Sequence, residues 1–136
     1  MKSTLEGEFR IGTESDIVTA RRFVREAATT LGFSLVDVTR IVTAASELTR
    51  NIYQYAGSGV MRWRPLHLAG RSGLEIVFAD QGPGIPDVEK AMEVGFTTGK
   101  GLGLGLPGAK RLMDEMTIES KAGEGTTVRV RKWLKK

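Results

Sequence analysis

The chain has 136 residues, of which 40% are hydrophobic and 26% charged, and its formal net charge is +4. This composition is that of an ordinary globular protein, and we expect residues 1–136 to form one domain. The chain has no cysteine and one histidine, which excludes disulfides and metal sites built from thiolates or several imidazoles. No apolar run approaches the roughly 18 residues of a membrane span, and the N-terminus lacks the apolar segment of a signal peptide. We therefore expect a cytoplasmic protein without membrane contact.

Two amphipathic helices are predicted after a short edge strand within residues 5–12. Capping residues at positions 13–16 precede apolar residues at helical spacing, and Gly32 ends this first helix. Ser34 is the expected N-cap of the second helix. The apolar stripe of that helix runs through residues 38–55.

Glu47 and Asn51 lie on the flank of this second stripe. They are four positions apart, so their side chains project about 40° from one another around the helix axis. A side chain on the flank of an apolar stripe can face a cleft that borders the core. Both residues are therefore candidates for a functional site.

The next part of the chain predicts two strands. Residues 60–68 are expected to form the first, in which Pro65 favours an edge or irregular position. A turn at residues 70–73 leads into the apolar strand 74–79, which runs directly into Asp80.

The last third predicts two helices and two strands. A short helix is expected at Asp87–Val94, and another begins near Pro107, because proline suits a first helical turn. The apolar side of that helix is expected to extend to Met116. Strands at residues 117–120 and 126–133 follow. Grouped helices and grouped strands indicate an α+β fold, a two-layer sandwich with helices on one face of a mixed, mainly antiparallel sheet.

Eight of the 17 glycines lie between residues 80 and 108. Glycine at this density weakens helices and strands, and its usual role is to let the backbone approach a ligand. Residues 95–101 resemble a Walker A loop, but they are one residue short and lack the Ser or Thr that holds magnesium. Residues 103–108 match the dinucleotide fingerprint, but no strand leads into them. Neither motif therefore explains the segment.

A combination of residues from both halves of the chain indicates an ATP site. Asp80 ends a buried strand, and its carboxylate can accept a hydrogen bond from an adenine amino group. Gly82 and Gly84 leave room for a flat base. Asn51 offers a neutral oxygen to Mg²⁺, and Glu47 can orient or deprotonate a nucleophile.

A phosphate site is expected at the end of the glycine-rich segment. Lys100 and the backbone of Gly101, Gly103 and Gly105 lead into the N-terminus of the helix near Pro107. The free N–H groups and the dipole of a helix N-terminus favour an anion.

The order of these motifs resembles that of the GHKL ATPases, the family of gyrase, the Hsp90 chaperones, histidine kinases and MutL. Residues 47–51 resemble the N box of that family, residues 80–84 its G1 box, residues 99–108 its G2 box, and residues 123–126 a later Gly-Thr element. Within the family, the chain closely resembles the switch serine/threonine kinases of the bacterial stressosome, which are related to anti-sigma-factor kinases. Four stretches carry this closer resemblance: residues 46–57, 80–86, 105–115 and 132–134.

The resemblance implies a Bergerat fold with ATP and Mg²⁺ as cofactors. By position, Glu47 would be the general base, Asn51 the Mg²⁺ ligand and Asp80 the adenine contact. Thr126 would lie near the base, and Asp87–Thr98 would be a short ATP lid. The residues that would line the nucleotide are Gly82, Gly84, Lys100, Gly101, Gly103 and Gly105.

The implied activity is phosphorylation of serine or threonine on STAS-domain proteins of a stressosome-like complex. Release of the kinase would then activate a downstream regulator such as a PP2C-type phosphatase. The alternative is a nucleotide-gated anti-sigma or scaffold module without significant kinase turnover. The basic tail at residues 129–136 can also contact nucleic acid, but a solvated strand face with a frayed end explains it better, so no nucleic-acid partner is expected.

Overall fold

The computed structural model describes residues 5–84 and 105–135. None of the helices in these two ranges has the length and apolar content needed to cross a bilayer. The predicted helix at Asp87–Val94 and the predicted lid at Asp87–Thr98 lie outside the described residues. The elements in chain order are β1 (Gly7–Ile11), α1 (Ser15–Leu31), α2 (Leu35–Asn51), a single π-helical turn (Ile52–Ala56), β2 (Gly59–Leu68), β3 (Arg71–Asp80), α3 (Leu106–Leu112), β4 (Glu115–Lys121) and β5 (Gly125–Trp133).

The five strands form one sheet in the order β1-β2-β3-β5-β4. Met61, Phe78 and Val128 share a row across it and are buried against the apolar stripes of α1 and α2. Burial of each such side chain contributes roughly 1.5–3 kcal/mol to folding. The predicted α+β sandwich is confirmed, and every strand pairing among the described residues is antiparallel.

The opposite face of the sheet carries charged side chains. Glu75 is only 3% exposed there, and it accepts hydrogen bonds from Arg64 Nε at 2.9 Å and Arg131 Nε at 2.8 Å. Burial raises the pKa of Glu75, but the hydrogen bonds and charges of Arg131 and Arg64 outweigh burial, so the pKa lies below its ordinary value. This cluster ties β2, β3 and β5 together on the side away from the core.

The helix boundaries follow the predicted caps. Ser34 Oγ accepts a hydrogen bond from Asp37 N–H at 3.1 Å and caps α2, and α1 ends at Gly32 as expected. In the first turn of α1, the Asp16 carboxylate accepts from the preceding N–H groups of Gly12 and Thr13 at 2.8 and 2.9 Å. The bond from Gly12 is the main reason that the pKa of Asp16 is lowered.

The β2–β3 hairpin differs from the prediction in two details. Pro65 lies in an internal strand, but the pairing of β1 with β2 reaches only Trp63. β2 is therefore a local edge at Pro65, which is where a residue without an N–H group is tolerated. The turn falls at Ala69 and Gly70 rather than at residues 70–73, and β3 begins at Arg71.

Helix α3 ends at Leu112, earlier than the apolar spacing predicted, and Met116 belongs to β4. Hydrogen bonds from the neighbouring strand explain the difference. Asp114 Oδ2 accepts from the Trp133 backbone N–H at 2.8 Å, and Glu115 Oε2 accepts from the Trp133 indole N–H at 2.6 Å. These bonds draw the chain into the sheet directly after Leu112.

The basic tail is largely a buried strand, and the predicted solvated strand face is wrong for its centre. β5 lies between β3 and β4. Lys132 is 6% exposed, and its Nζ donates to the Leu112 carbonyl at 2.9 Å. A lysine at this place satisfies a free carbonyl at a helix C-terminus, so Lys132 fixes the end of α3 to the sheet.

Candidate functional site

Glu47 and Asn51 lie in the last turns of α2, where the helix changes its geometry. Asn51 is the last α-helical residue, and a π-helical turn follows at Ile52–Ala56. A π turn is a rare, widened turn that occurs often at functional sites. The change rotates the following residues relative to an ideal helix, and Tyr55 is only partly buried. Burial raises the pKa of the Tyr55 phenol.

Asp80 and Thr126 stand directly opposite each other on β3 and β5. Their side chains lie in a row on the helix side of the sheet, because each is two residues from a buried residue of its own strand, Phe78 or Val128, and side chains alternate between the two faces. Asp80 Oδ1 accepts from the N–H of Gly82 at 2.9 Å, which fixes the carboxylate at the strand end. Its second oxygen can accept from an amino group. The predicted base contacts, Asp80 and Thr126, are therefore neighbours.

Ser120 extends this polar row onto β4. It pairs with Thr126 across the β4–β5 ladder, and the two hydroxyl oxygens are 2.8 Å apart. The Ser120 hydroxyl also donates to the Gly125 carbonyl at 3.1 Å. Ser120 was not among the predicted site residues. Its position opposite Thr126 across a short glycine turn is the signal from which it could have been found.

Glycines let the end of α2 approach the end of β3. A Cβ atom on Gly82 would lie 2.6 Å from Ala56 Cβ, and one on Gly59 would lie 2.7 Å from Ile52 Cγ2 and 3.2 Å from Asp80 Cβ. These contacts are too short for any side chain. The absence of side chains at both positions thus places the π turn against the strand end that carries Asp80.

A second close approach joins the Asp80 loop to the β4–β5 turn. A Cβ atom on Gly84 would lie 2.1 Å from the Lys121 carbonyl oxygen, and one on Gly125 would lie 2.2 Å from the Asp80 carbonyl oxygen. The Gly123 N–H donates to the Pro83 carbonyl at 2.7 Å. Backbone packed on backbone therefore forms this end of the site, which we call the base end because the predicted base contacts Asp80 and Thr126 lie on it.

Glu47 faces Gly105, the first described residue of the predicted box at residues 99–108. Gly105 precedes α3 with φ +65°, and a Cβ atom there would lie 2.6 Å from Glu47 Oε2. Leu106, the next residue, is 1% exposed and belongs to the core. Glu47 Oε1 accepts a hydrogen bond from Arg50 Nη1 at 3.0 Å. The carboxylate is thus held between Arg50 on one side and the Gly105 backbone on the other.

The residues present fit a magnesium nucleotide. Asn51, four residues after Glu47 on α2, would supply one neutral oxygen, and Mg²⁺ bound to a nucleotide takes few protein ligands and completes its shell with phosphate oxygens and water. Within the described ranges there is no group of three or more acidic, histidine or cysteine side chains that would hold a metal ion by itself. Lys100, Gly101 and Gly103 lie outside the described residues, so their predicted roles stay predictions.

Seven predicted site residues fall in the described part of the chain, and they divide into two groups. Asp80, Gly82, Gly84 and Thr126 form the base end, and Glu47 with Gly105 forms the other end. Asn51, in the α2 turn after Glu47, leads into the π turn that packs on the base end. Sequence reasoning missed Arg50, although its spacing of three from Glu47 on one helix is a signal for an ion pair.

The chain is similar to known proteins over most of its length. A family model described as "Histidine kinase-like ATPase domain" matches residues 12–132. The serine/threonine-protein kinase RsbT of Bacillus subtilis (strain 168) is 56% identical over 126 residues, which make up 93% of this chain and 95% of that protein. An anti-sigma F factor of Caldanaerobacter subterraneus subsp. tengcongensis is 36% identical over 121 residues, which make up 85% of this chain and 83% of that protein.

Two solved structures share the fold. A Mycobacterium tuberculosis structure of RsbU and RsbW domains aligns with a TM-score of 0.57 and 23% identity over 93% of this chain. The match spans 32% of that longer chain. The catalytic domain of the histidine kinase ThkA aligns with a TM-score of 0.54 and 17% identity, and the match covers 93% of this chain and 95% of that one.

Proposed function

Because the chain belongs to the family of histidine kinase-like ATPase domains, we propose that it is an ATP-dependent serine/threonine protein kinase that works as a single domain. The contact between the Glu47 carboxylate and Gly105 carries this proposal. This contact places a proton acceptor, Glu47, beside Gly105, where the glycine-rich segment leads into α3. The π turn that follows Asn51 packs on the base end of the site. The 56% identity to a serine/threonine-protein kinase supports the same activity.

In the proposed reaction, the hydroxyl oxygen of a partner's serine or threonine forms a bond to the γ-phosphorus as the bond to the bridging oxygen of ADP breaks. The hydroxyl proton passes to Glu47. Asp80 and Thr126 bind the base, and Asn51 helps to hold Mg²⁺. ATP is the phosphoryl donor, and Mg²⁺, when bound, would neutralise charge on the transferred group. Catalysis in this chemistry comes mainly from positioning and electrostatic stabilisation, so the fixed geometry of Glu47 matters more than its basicity.

Partner switching is the cellular role that fits this kinase. The relatives include a serine/threonine kinase and anti-sigma factors, which agrees with exchange between regulatory proteins. We propose STAS-domain proteins of a stressosome-like complex as the substrates, and a PP2C-type phosphatase or similar regulator as the partner that the released kinase activates. The proposed location is the cytoplasm.

Transfer of labelled γ-phosphate to a purified STAS-domain protein encoded beside the gene for this chain tests the activity. Glu47→Ala is expected to lower the transfer rate by roughly 10²–10⁴-fold, the usual contribution of a general base, while ATP still binds. Glu26→Ala is the matched control, because Glu26 is an exposed carboxylate on α1 away from the site. Equal transfer rates for the two variants would contradict the role of Glu47.

A nucleotide-gated binding module is the second candidate, and the 36% identity to an anti-sigma F factor favours it. In that case, ATP would change the affinity for a sigma factor or scaffold protein without phosphate transfer. Binding of the partner measured with ATP, ADP and no nucleotide, alongside the transfer assay, separates the two. Nucleotide-dependent binding with no label on any partner would support the module.

A further inference from the structure

Arg50 is the side chain that contacts Glu47 from within its own helix. Arg50 Nη1 donates to Glu47 Oε1 at 3.0 Å, and each side chain is 41% exposed. The other carboxylate oxygen, Oε2, lies on the Gly105 side, 2.6 Å from where a Cβ atom on that glycine would be. The two oxygens of Glu47 therefore have different surroundings.

An exposed ion pair three residues apart on a helix usually adds little to stability. The pair formed by Arg40 and Asp37 in the same helix has the same spacing and the same 3.0 Å contact, with Arg40 44% exposed, but its carboxylate is buried and also lies 3.9 Å from Lys132 Nζ and 3.7 Å from Lys135 Nζ. That pair lies near the start of α2, at the far end of the helix from Asn51. The two pairs thus differ in the burial of the carboxylate and in location, and only the Arg50 pair holds a residue of the proposed site.

Glutamate has several rotatable bonds, and an unrestrained carboxylate at this place would occupy several rotamers. The Gly105 backbone blocks one side of the Glu47 carboxylate, and Arg50 holds the oxygen on the other. In this arrangement, Glu47 Oε2 points toward the start of α3, which is the end of the site where phosphate is expected. A proton acceptor must lie within about 2.6–3.2 Å of its donor, so a fixed rotamer has a direct effect on rate.

We propose that Arg50 is a positioning residue for phosphate transfer, which binds Glu47 Oε1 and thereby keeps Oε2 directed at the reacting hydroxyl. This inference rests on the proposed kinase function and on Glu47 as the proton acceptor. In this proposal, Arg50 acts through Glu47 and not directly on the nucleotide or the partner. Its removal should lower kcat and leave KM for ATP and for the partner unchanged.

The test is the transfer assay with the full chain, labelled Mg-ATP and the same STAS-domain protein. Arg50→Gln is expected to lower kcat by roughly 10–100-fold, the range expected when a reacting group is misplaced by up to about 1 Å. Arg50→Lys keeps a donor of the same charge and is expected to recover most of the loss. Arg40→Gln removes the other arginine of an i, i+3 pair in α2 and is the control; it should keep the native kcat, because Lys132 and Lys135 still lie near the buried Asp37 carboxylate. Urea unfolding of each variant verifies that the protein is folded.

The double variant Glu47→Ala/Arg50→Gln distinguishes positioning from a direct role. If Arg50 acts through Glu47, the double variant is as slow as Glu47→Ala alone, because effects within one unit are not additive. A further loss in the double variant, or a raised KM with native kcat in Arg50→Gln, would overturn the proposal. Native kcat in Arg50→Gln beside a slow Glu47→Ala would overturn it and leave the kinase function standing. Native kcat in Glu47→Ala would overturn the proposal together with the role of Glu47 as proton acceptor, whereas no phosphate transfer by the native protein would overturn the kinase function.

Discussion

Replacing Gly105 with alanine tests the contact between α3 and Glu47. Gly105 has φ +65°, and the new Cβ atom would lie 2.6 Å from Glu47 Oε2 and 3.2 Å from Glu47 Cβ. Ordinary contact begins at 3.4 Å, so the carboxylate must move by about 0.8 Å or the start of α3 must shift by a similar distance.

Two separate effects are expected in Gly105→Ala. The left-handed backbone conformation costs a residue with a Cβ atom about 1–2 kcal/mol of stability. Displacement of Glu47 by a large fraction of an ångström should lower phosphate transfer by roughly 10–100-fold, because misplacement by 1 Å can cost about that much. The first effect concerns the fold and the second concerns the reaction.

Gly32→Ala is a control that isolates the first effect. Gly32 ends α1 with φ +98°, and a Cβ atom there would meet nothing within 4 Å. It should therefore show a similar loss of stability in urea unfolding and a native rate of phosphate transfer at 25 °C. Both variants would be measured in unfolding and in transfer of labelled phosphate to the STAS-domain protein.

Equal transfer rates in Gly105→Ala and Gly32→Ala would refute the reasoning, since the contact with Glu47 would then have no bearing on the reaction. A Gly105→Ala variant that is as stable as the native protein would instead contradict the assigned backbone conformation.

Three further outcomes are expected. Glu75→Gln should lower the free energy of unfolding by about 2 kcal/mol, or Tm by about 6 °C, because a buried carboxylate held by two arginines is lost. The control is Glu8→Gln, because Glu8 forms an exposed pair with Arg62. It should change the free energy of unfolding by less than about 0.5 kcal/mol. The folded-state pKa of Glu75 lies below its ordinary value of 4.5. The difference in free energy of unfolding between the native protein and Glu75→Gln should therefore be largest above pH 4.5 and shrink as the pH falls below it. A difference that grows on acidification would be inconsistent with the cluster. Thr49→Val should raise stability by about 1 kcal/mol in the same unfolding assay, because the Thr49 hydroxyl is buried without a hydrogen-bond partner among residues 5–84 and 105–135. A loss of stability would indicate that this hydroxyl has a partner in solution. Asp80→Asn should weaken ATP binding by at least roughly 10-fold in calorimetry, since it replaces the carboxylate that we propose accepts from the adenine amino group, and unchanged affinity would argue against that role.

The sequence predicted the layers of the fold because its periodicity is clear. The stripes of α1 and α2 and the apolar strand before Asp80 each follow one period, and the glycines that end them leave little choice of boundary. The end of α3 was not predictable in this way. Apolar spacing continues to Met116, but hydrogen bonds from Trp133, a residue far along the chain, place Asp114 and Glu115 beside β5.

The site was predictable as a set of residue types and less so as an arrangement. Carboxylates, an amide and glycines at the observed spacings indicate nucleotide chemistry by themselves. The π turn after Asn51 leaves no evident signal in the sequence, and the contact of Gly105 with Glu47 depends on how α3 packs against α2. The tail showed the limit of charge patterning, because Lys132 is basic and yet buried, with a helix carbonyl as its partner.

The base end of the site has a consequence for how nucleotide preference can evolve. Gly84 and Gly125 each leave just over 2 Å between a would-be Cβ atom and a carbonyl oxygen, so neither position accepts a larger residue without parting two segments of the fold. Selection for a different base in a randomised library should therefore recover changes at Asp80, Thr126 and Ser120, whose side chains form the polar row. The two glycines should stay unchanged in every surviving clone, because they allow the close backbone packing that positions the side chains of that row.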